Sequence, residues 1–126
     1  MHGRILYIED NPHNMNIVRK ILRHMQYDVI EAVNGLSGIT TAIRERPDMV
    51  LMDLHLPDIS GLEATTVIKS TESLEGIPVI ALTADTTDGI WKRCREAGCD
   101  GYLDKPITRS RLLKIIQQFA NQPNID

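Results

Sequence analysis

The chain has 126 residues, enough for one domain with a real core and too few for two comfortable ones. Its hydrophobic content of 42% and charged content of 25% are ordinary for a soluble globular domain. A net charge of −3 gives no electrostatic reason to bind nucleic acid or an anionic membrane, and no run reaches the roughly 18 apolar residues of a membrane span.

The opening "MHGRILYIED" turns acidic after one short apolar run, which is not a secretory signal. Cys94 and Cys99 form neither a CxxC pair nor a disulfide framework, and they read as two small buried or half-buried thiols. Cytoplasm is the expected compartment.

"RILYI" at 4–8 reads as a first buried strand and runs into Glu9-Asp10. Asn11-Pro12 then predicts a helix start, because Asn caps well and Pro suits the first helical position. Met15, Val18, Leu22 and Met25 follow in steps of three and four, the stripe of an amphipathic helix. "DVIEA" at 28–32 predicts a second strand. After Asn34-Gly35, Leu36, Ile39 and Ile43 predict the stripe of a second helix.

"MVLMD" at 49–53 predicts a third strand, whose apolar run meets an ionisable Asp53. A third helix over about 61–70 has a weaker stripe around Leu62 and Ile68, and 70–77 is the only longish loop. "PVIAL" at 78–82 predicts a fourth strand that runs into Thr83-Ala84. Ile90, Cys94 and Ala97 share one face of a fourth helix that stops at Gly98. "GYL" at 101–103 predicts a fifth strand, followed by Lys105-Pro106. The last helix starts near Thr108 and carries Leu112, Ile115, Ile116 and Phe119. The reading is one domain over 1–126, with a core over about 4–120 and a frayed tail at 121–126.

Strands alternating with helices predict an α/β fold with a parallel sheet covered on both faces. In such sheets ligands bind outside the carboxyl ends of the strands. Those ends gather Glu9, Asp10, Asp53, Thr83 and Lys105. Three clustered carboxylates against one lysine leave two negative charges in excess, and a divalent cation would cancel them. Oxygen ligands without a Cys or His set suit a hard ion such as Mg²⁺ and do not suggest zinc. A carboxylate held between such a cation and a lysine, beside a hydroxyl, is placed to attack phosphorus.

"ILYIEDN", "DMVLMDLHLPDISGLE", "PVIALTA" and "AGCDGYLDKPI" occur in an order and spacing that resemble the response-regulator receiver domain over about residues 4–120. The resemblance implies a flavodoxin-like, doubly wound, five-stranded parallel sheet in the order 2-1-3-4-5. It implies that Asp53 is the phosphoacceptor for a phosphohistidine on a histidine kinase or histidine-phosphotransfer protein. Glu9, Asp10, Asp53 and the backbone carbonyl of His55 would hold Mg²⁺, with Mn²⁺ as an alternative ion. Thr83 and Lys105 would meet phosphate oxygens, Lys105-Pro106 would be cis, and Tyr102 would move inward with Thr83. Phosphorylation would then repack the face made by helix four, strand five and helix five. The acidic pair is Glu-Asp where Asp-Asp is also common, so Asp10 is expected to touch the metal directly and Glu9 to act through water.

The same resemblance implies that Asn14, Ile17, Pro106 and Ile107 ring the site and dock the phosphohistidine partner. His55 and Asp85, each two residues past a key position, either tune how water reaches the phosphoryl group or are solvated loop residues. Trp91, the only Trp, either anchors a partner or lies flat over its own helix. The expected role is a signalling domain with some self-dephosphorylation, more than a turnover enzyme. A degenerate receiver acting only as a binding scaffold is the alternative, against which the set Asp10, Asp53, Thr83 and Lys105 argues. A flavin or nucleotide carrier is remote, because the chain has no GxGxxG, no GxxxxGK and 4% aromatics. The chain has no room for a helix-turn-helix or catalytic output domain, and it reads equally as a stand-alone receiver or as one from a larger regulator.

Overall fold

A computed structural model describes residues 3–120; the expected tail at 121–126 lies outside the described residues. The strands are β1 (Arg4–Ile8), β2 (Asp28–Ala32), β3 (Met49–Asp53), β4 (Val79–Thr83) and β5 (Gly101–Asp104). They pair in parallel in the order β2-β1-β3-β4-β5. The helices are α1 (Pro12–His24), α2 (Gly35–Glu45), α3 (Gly61–Ser70), α4 (Ile90–Ala97) and α5 (Arg109–Ala120), with a 3-10 turn at Glu72–Leu74. None of the described helices is long and apolar enough to cross a membrane.

Strand alternation sends side chains to two faces, and each face has its own core. Met15, Val18 and Leu22 of α1 and Leu112 and Ile116 of α5 pack on Ile5, Tyr7, Leu51, Ile80 and Leu82. On the other face, α2 and α3 cover Leu6, Ile8, Val50, Met52 and Val79. Beside them α4 packs Ile90 and Cys94 against Leu54, Ala81 and Cys99. Both cysteines are buried thiols.

The helix starts follow the expected chemistry. Asn11 accepts the Asn14 N–H at 3.0 Å, with Pro12 in the first turn of α1. Ser60 and Glu63 form a reciprocal capping box on α3. Gly98 ends α4 in the left-handed conformation at φ 106°.

Three expectations need correction. Leu36, Ile39 and Ile43 do not form the inward stripe of α2: Leu36 is 58% and Ile43 45% exposed, with Ile39 half-buried. The buried face is Gly35, Gly38, Thr41 and Ala42. A Cβ added to Gly38 would lie 2.5 Å from Ile8 Cδ1, so this helix comes closer to the sheet than a leucine face would permit. β4 runs over 79–83 instead of 78–82, because Pro78 contributes a carbonyl to Val50 N–H but has no N–H of its own. β5 extends through Asp104, one residue beyond its apolar run.

Candidate functional site

Parallel register brings the carboxyl ends of β1, β3 and β4 to one edge, with Ile8 opposite Met52 and Asp53 opposite Leu82. Glu9 and Asp10 continue β1 there. Carboxylate oxygens of Glu9, Asp10 and Asp53 lie within 4.8 Å of one another. Glu9 is 1% and Asp53 3% exposed, while Asp10 faces solvent. Lys105 comes in from beyond β5, positioned by its own N–H on the Thr83 carbonyl at 2.8 Å. Its Nζ is 3.1 Å from Glu9 Oε1 and 3.6 Å from Asp53 Oδ1. The Lys105-Pro106 peptide is cis, as the resemblance implies.

Buried carboxylates need several donors, and Glu9 has them. The Tyr7 hydroxyl donates to Oε1 at 2.8 Å, and the Asn11 N–H donates to Oε2 at 3.2 Å. Burial would raise the Glu9 pKa, but hydrogen bonds from Asp53, Tyr7 and Lys105 outweigh it and hold Glu9 below its usual value. Asp53 moves the other way. Burial pushes its pKa up to about 7, reinforced by the hydrogen bond and charge of Glu9 and opposed by Lys105 and the His55 N–H. The two carboxyl groups titrate as a pair, and Asp53 is the harder of the two to ionise.

Tyr7 is a site residue that the sequence reading passed over. It lies two positions before Glu9 on β1, on the same face of the strand, and this alternation was the available signal. Burial and the neighbouring Glu9 keep its hydroxyl protonated.

Thr83 is fully buried, and its Oγ1 accepts the Asp85 N–H at 2.9 Å, which leaves the hydroxyl hydrogen as a donor. The Asp85 carboxylate turns to Thr87, which with nearby His55 and Arg93 holds it below the usual carboxylate range. His55 is exposed, and its N–H donates to Asp53 Oδ1 at 3.3 Å.

Trp91 does not simply lie over its own helix. Its ring stacks on Tyr102 of β5, with centroids 4.1 Å apart and planes 14° from parallel. Both residues are half-buried. Asn14, Ile17, Pro106 and Ile107 do come together: with Tyr7, Val18 and Lys105 they line a cavity of about 90 Å³ beside the lysine.

The donor set fits a hard divalent cation, being three carboxylates without a thiolate or imidazole. Comparison with known proteins points the same way. The family model for the response regulator receiver domain matches residues 5–117. The polar-differentiation response regulator DivK of Brucella anthropi is 39% identical over 119 residues, which cover 94% of this chain and 97% of that protein. The receiver domain of a sensor histidine kinase from Pseudomonas aeruginosa has a magnesium ion coordinated in its active-site cleft. It superposes with a TM-score of 0.89 at 37% identity, covering 95% of this chain and 98% of that one. The signal receiver domain of a histidine kinase from Syntrophus aciditrophicus gives a TM-score of 0.90 at 26% identity, over 98% of this chain and 94% of that one.

Proposed function

The chain belongs to the response regulator receiver domain family, and on that premise we propose that Asp53 accepts a phosphoryl group from a phosphohistidine. The donor is a histidine kinase or a histidine-phosphotransfer protein. A carboxylate oxygen of Asp53 attacks phosphorus in line. The O–P bond forms as the N–P bond breaks, and the departing imidazole nitrogen keeps the electron pair. The observation that carries this reading is the buried Asp53 carboxylate beside Glu9, Asp10 and the Lys105 ammonium.

Each residue has a distinct task. Asp10, Asp53 and the His55 carbonyl would hold Mg²⁺ or Mn²⁺, with Glu9 acting through water because its oxygens already serve Tyr7, Lys105 and Asn11. The bound cation supplies positive charge to the phosphoryl oxygens. Lys105 and the Thr83 hydroxyl meet the remaining oxygens as charge develops there. Tyr102 follows Thr83 inward and repacks the face of α4, β5 and α5, by no more than the phosphoryl group's preference for that arrangement. Asn14, Ile17, Pro106 and Ile107 receive the partner, and an Ile17→Asp variant should lose transfer from it while keeping acetyl phosphate chemistry.

Intact mass after incubation with acetyl phosphate and Mg²⁺ tests the core of the proposal. One phosphoryl adduct is expected, absent in Asp53→Asn and absent without metal. No adduct in the wild type, and no binding of beryllofluoride, would leave a phosphorylation-independent binding scaffold as the reading.

A further inference from the structure

The loop from Leu54 to Ser60 carries His55, and its two ends are fixed by β3 and α3. The Leu54 N–H bonds the Leu82 carbonyl at 3.2 Å, and the Gly61 N–H bonds the Leu54 carbonyl at 3.0 Å. A Cβ on Gly61 would lie 2.3 Å from the Asp53 carbonyl oxygen, so α3 begins directly against the back of the acceptor residue. Between these ends, Leu56 and Ile59 rest on the α2–α3 core. Such apolar contacts oppose withdrawal of the loop but do not fix its orientation.

Asp58 supplies the directional restraint. Its Oδ1 accepts the Gly35 N–H and its Oδ2 the Leu36 N–H, both at 2.8 Å. The first three N–H groups of α2 have no acceptor within the helix. Asn34 serves only the third, taking the Ser37 N–H at 2.8 Å. Asp58 takes the other two from across the molecule, 22 and 23 residues away in sequence. The carboxylate also lies at the positive end of the helix dipole. Close approach is possible because residue 35 is glycine: a Cβ there would lie 2.5 Å from Ile59 Cγ1 and 3.3 Å from Asp58 Oδ1.

We propose that Asp58 is a positioning residue for the divalent cation, a role that rests on the metal reading above. Clamped to α2, it orients the loop so that the His55 carbonyl is presented to the Glu9–Asp10–Asp53 cluster before the ion arrives. Without the clamp, part of the binding free energy would go into ordering the loop. The bland alternative is a second cap that stabilises α2 and does nothing for the ion.

Asn34→Ala separates the two, because it removes a cap from the same helix end and leaves the loop clamped. The measurement is the Mg²⁺ dissociation constant by calorimetry at pH 8, alongside the melting temperature without metal. Asp58→Ala should weaken Mg²⁺ about tenfold, in line with other outer-shell ligand supports. Asp58→Asn, which keeps one acceptor oxygen, should lie between that and wild type and serves if the alanine variant does not fold. Asn34→Ala should lower the melting temperature yet bind Mg²⁺ within about twofold of wild type. Both Asp58 variants binding like wild type, or Asn34→Ala losing as much affinity as Asp58→Ala, would overturn the proposal. A wild type that binds no Mg²⁺ would overturn the metal reading itself.

Discussion

Glu9, at the end of β1, takes three hydrogen bonds on its carboxylate, whereas the Thr83 hydroxyl on β4 takes one and the Tyr102 ring on β5 is held by packing. The donors to Glu9 are Tyr7, Lys105 and the Asn11 N–H. Thr83 Oγ1 takes one N–H, and the Tyr102 ring lies against one indole. The difference separates two jobs. A site that stabilises developing charge works best when its groups need not move, and a switch needs an element that small forces can shift. On the proposed function, the same sheet edge would have a rigid side at Glu9 and Asp53 and a movable side at Thr83 and Tyr102.

Lys105 should give the largest effect, since it is the cation on the rigid side. Lys105→Met keeps most of the stem and removes the charge. Phosphorylation by acetyl phosphate should slow by about a hundredfold, the usual cost of one lost electrostatic donor. Mg²⁺ affinity should rise in the same variant, because a competing positive charge has gone. Opposite changes in rate and metal affinity would mark Lys105 as a phosphoryl-oxygen ligand; a fall in both would mark it as a structural counter-ion of Glu9.

Tyr7→Phe tests how tightly the rigid side is held. The hydroxyl's bond to a buried carboxylate should be worth about 2 kcal/mol, visible as reduced stability in urea. Phosphorylation should persist, because the phenol touches Glu9 and not Asp53.

Next comes pH. With Asp53 near 7, the metal-free fold binds a proton that the unfolded chain, near 3.8, releases. This group therefore stabilises the fold in acid, and the contribution is lost as pH rises through 7. The depressed Glu9 opposes it in sign, its contribution being lost as pH falls through its own lower pKa. At the proposed site Mg²⁺ would be held by an ionised Asp53, so its affinity should level off above pH 7 and fall about tenfold per unit below, roughly 1.4 kcal/mol. Calorimetry at pH 6, 7 and 8 gives the slope, and a flat profile would mean that Asp53 is already ionised.

The rigid side was far more legible in the sequence than its surroundings. An apolar run that ends in an acid such as Asp53 is more often a solvated strand end, and it is Glu9, Asp10, Thr83 and Lys105 at the neighbouring strand ends that mark it as a site. Tyr7 was less legible, since a tyrosine within "RILYI" reads as core and its partner Glu9 lies outside the strand pattern. The α2 stripe misled because Leu36, Ile39 and Ile43 and the small residues Gly35, Gly38 and Ala42 both have helical spacing. Periodicity finds a helix but does not say that close approach to Ile8 selects the small face. Asp58 escaped notice because its partners, at residues 35 and 36, are backbone groups with no side-chain signature.

The smallest expected effect is on the movable side, and it has a built-in reporter. Trp91 is the only Trp, and it lies on Tyr102. An offset aromatic pair is worth about 1 kcal/mol beyond its buried area, which is small beside what a phosphoryl group can supply. If Tyr102 moves inward, the stack must part or the indole must follow, and either event changes the surroundings of Trp91. Adding beryllofluoride and Mg²⁺ should therefore alter the Trp91 fluorescence of the wild type but not of Thr83→Ala, whose lost hydroxyl uncouples the switch from the site. Trp91→Ala should shift the population toward the inward Tyr102, raising apparent beryllofluoride affinity up to fivefold, the equivalent of about 1 kcal/mol. An unchanged affinity would mean that the indole travels with Tyr102, leaving the stack intact in both states.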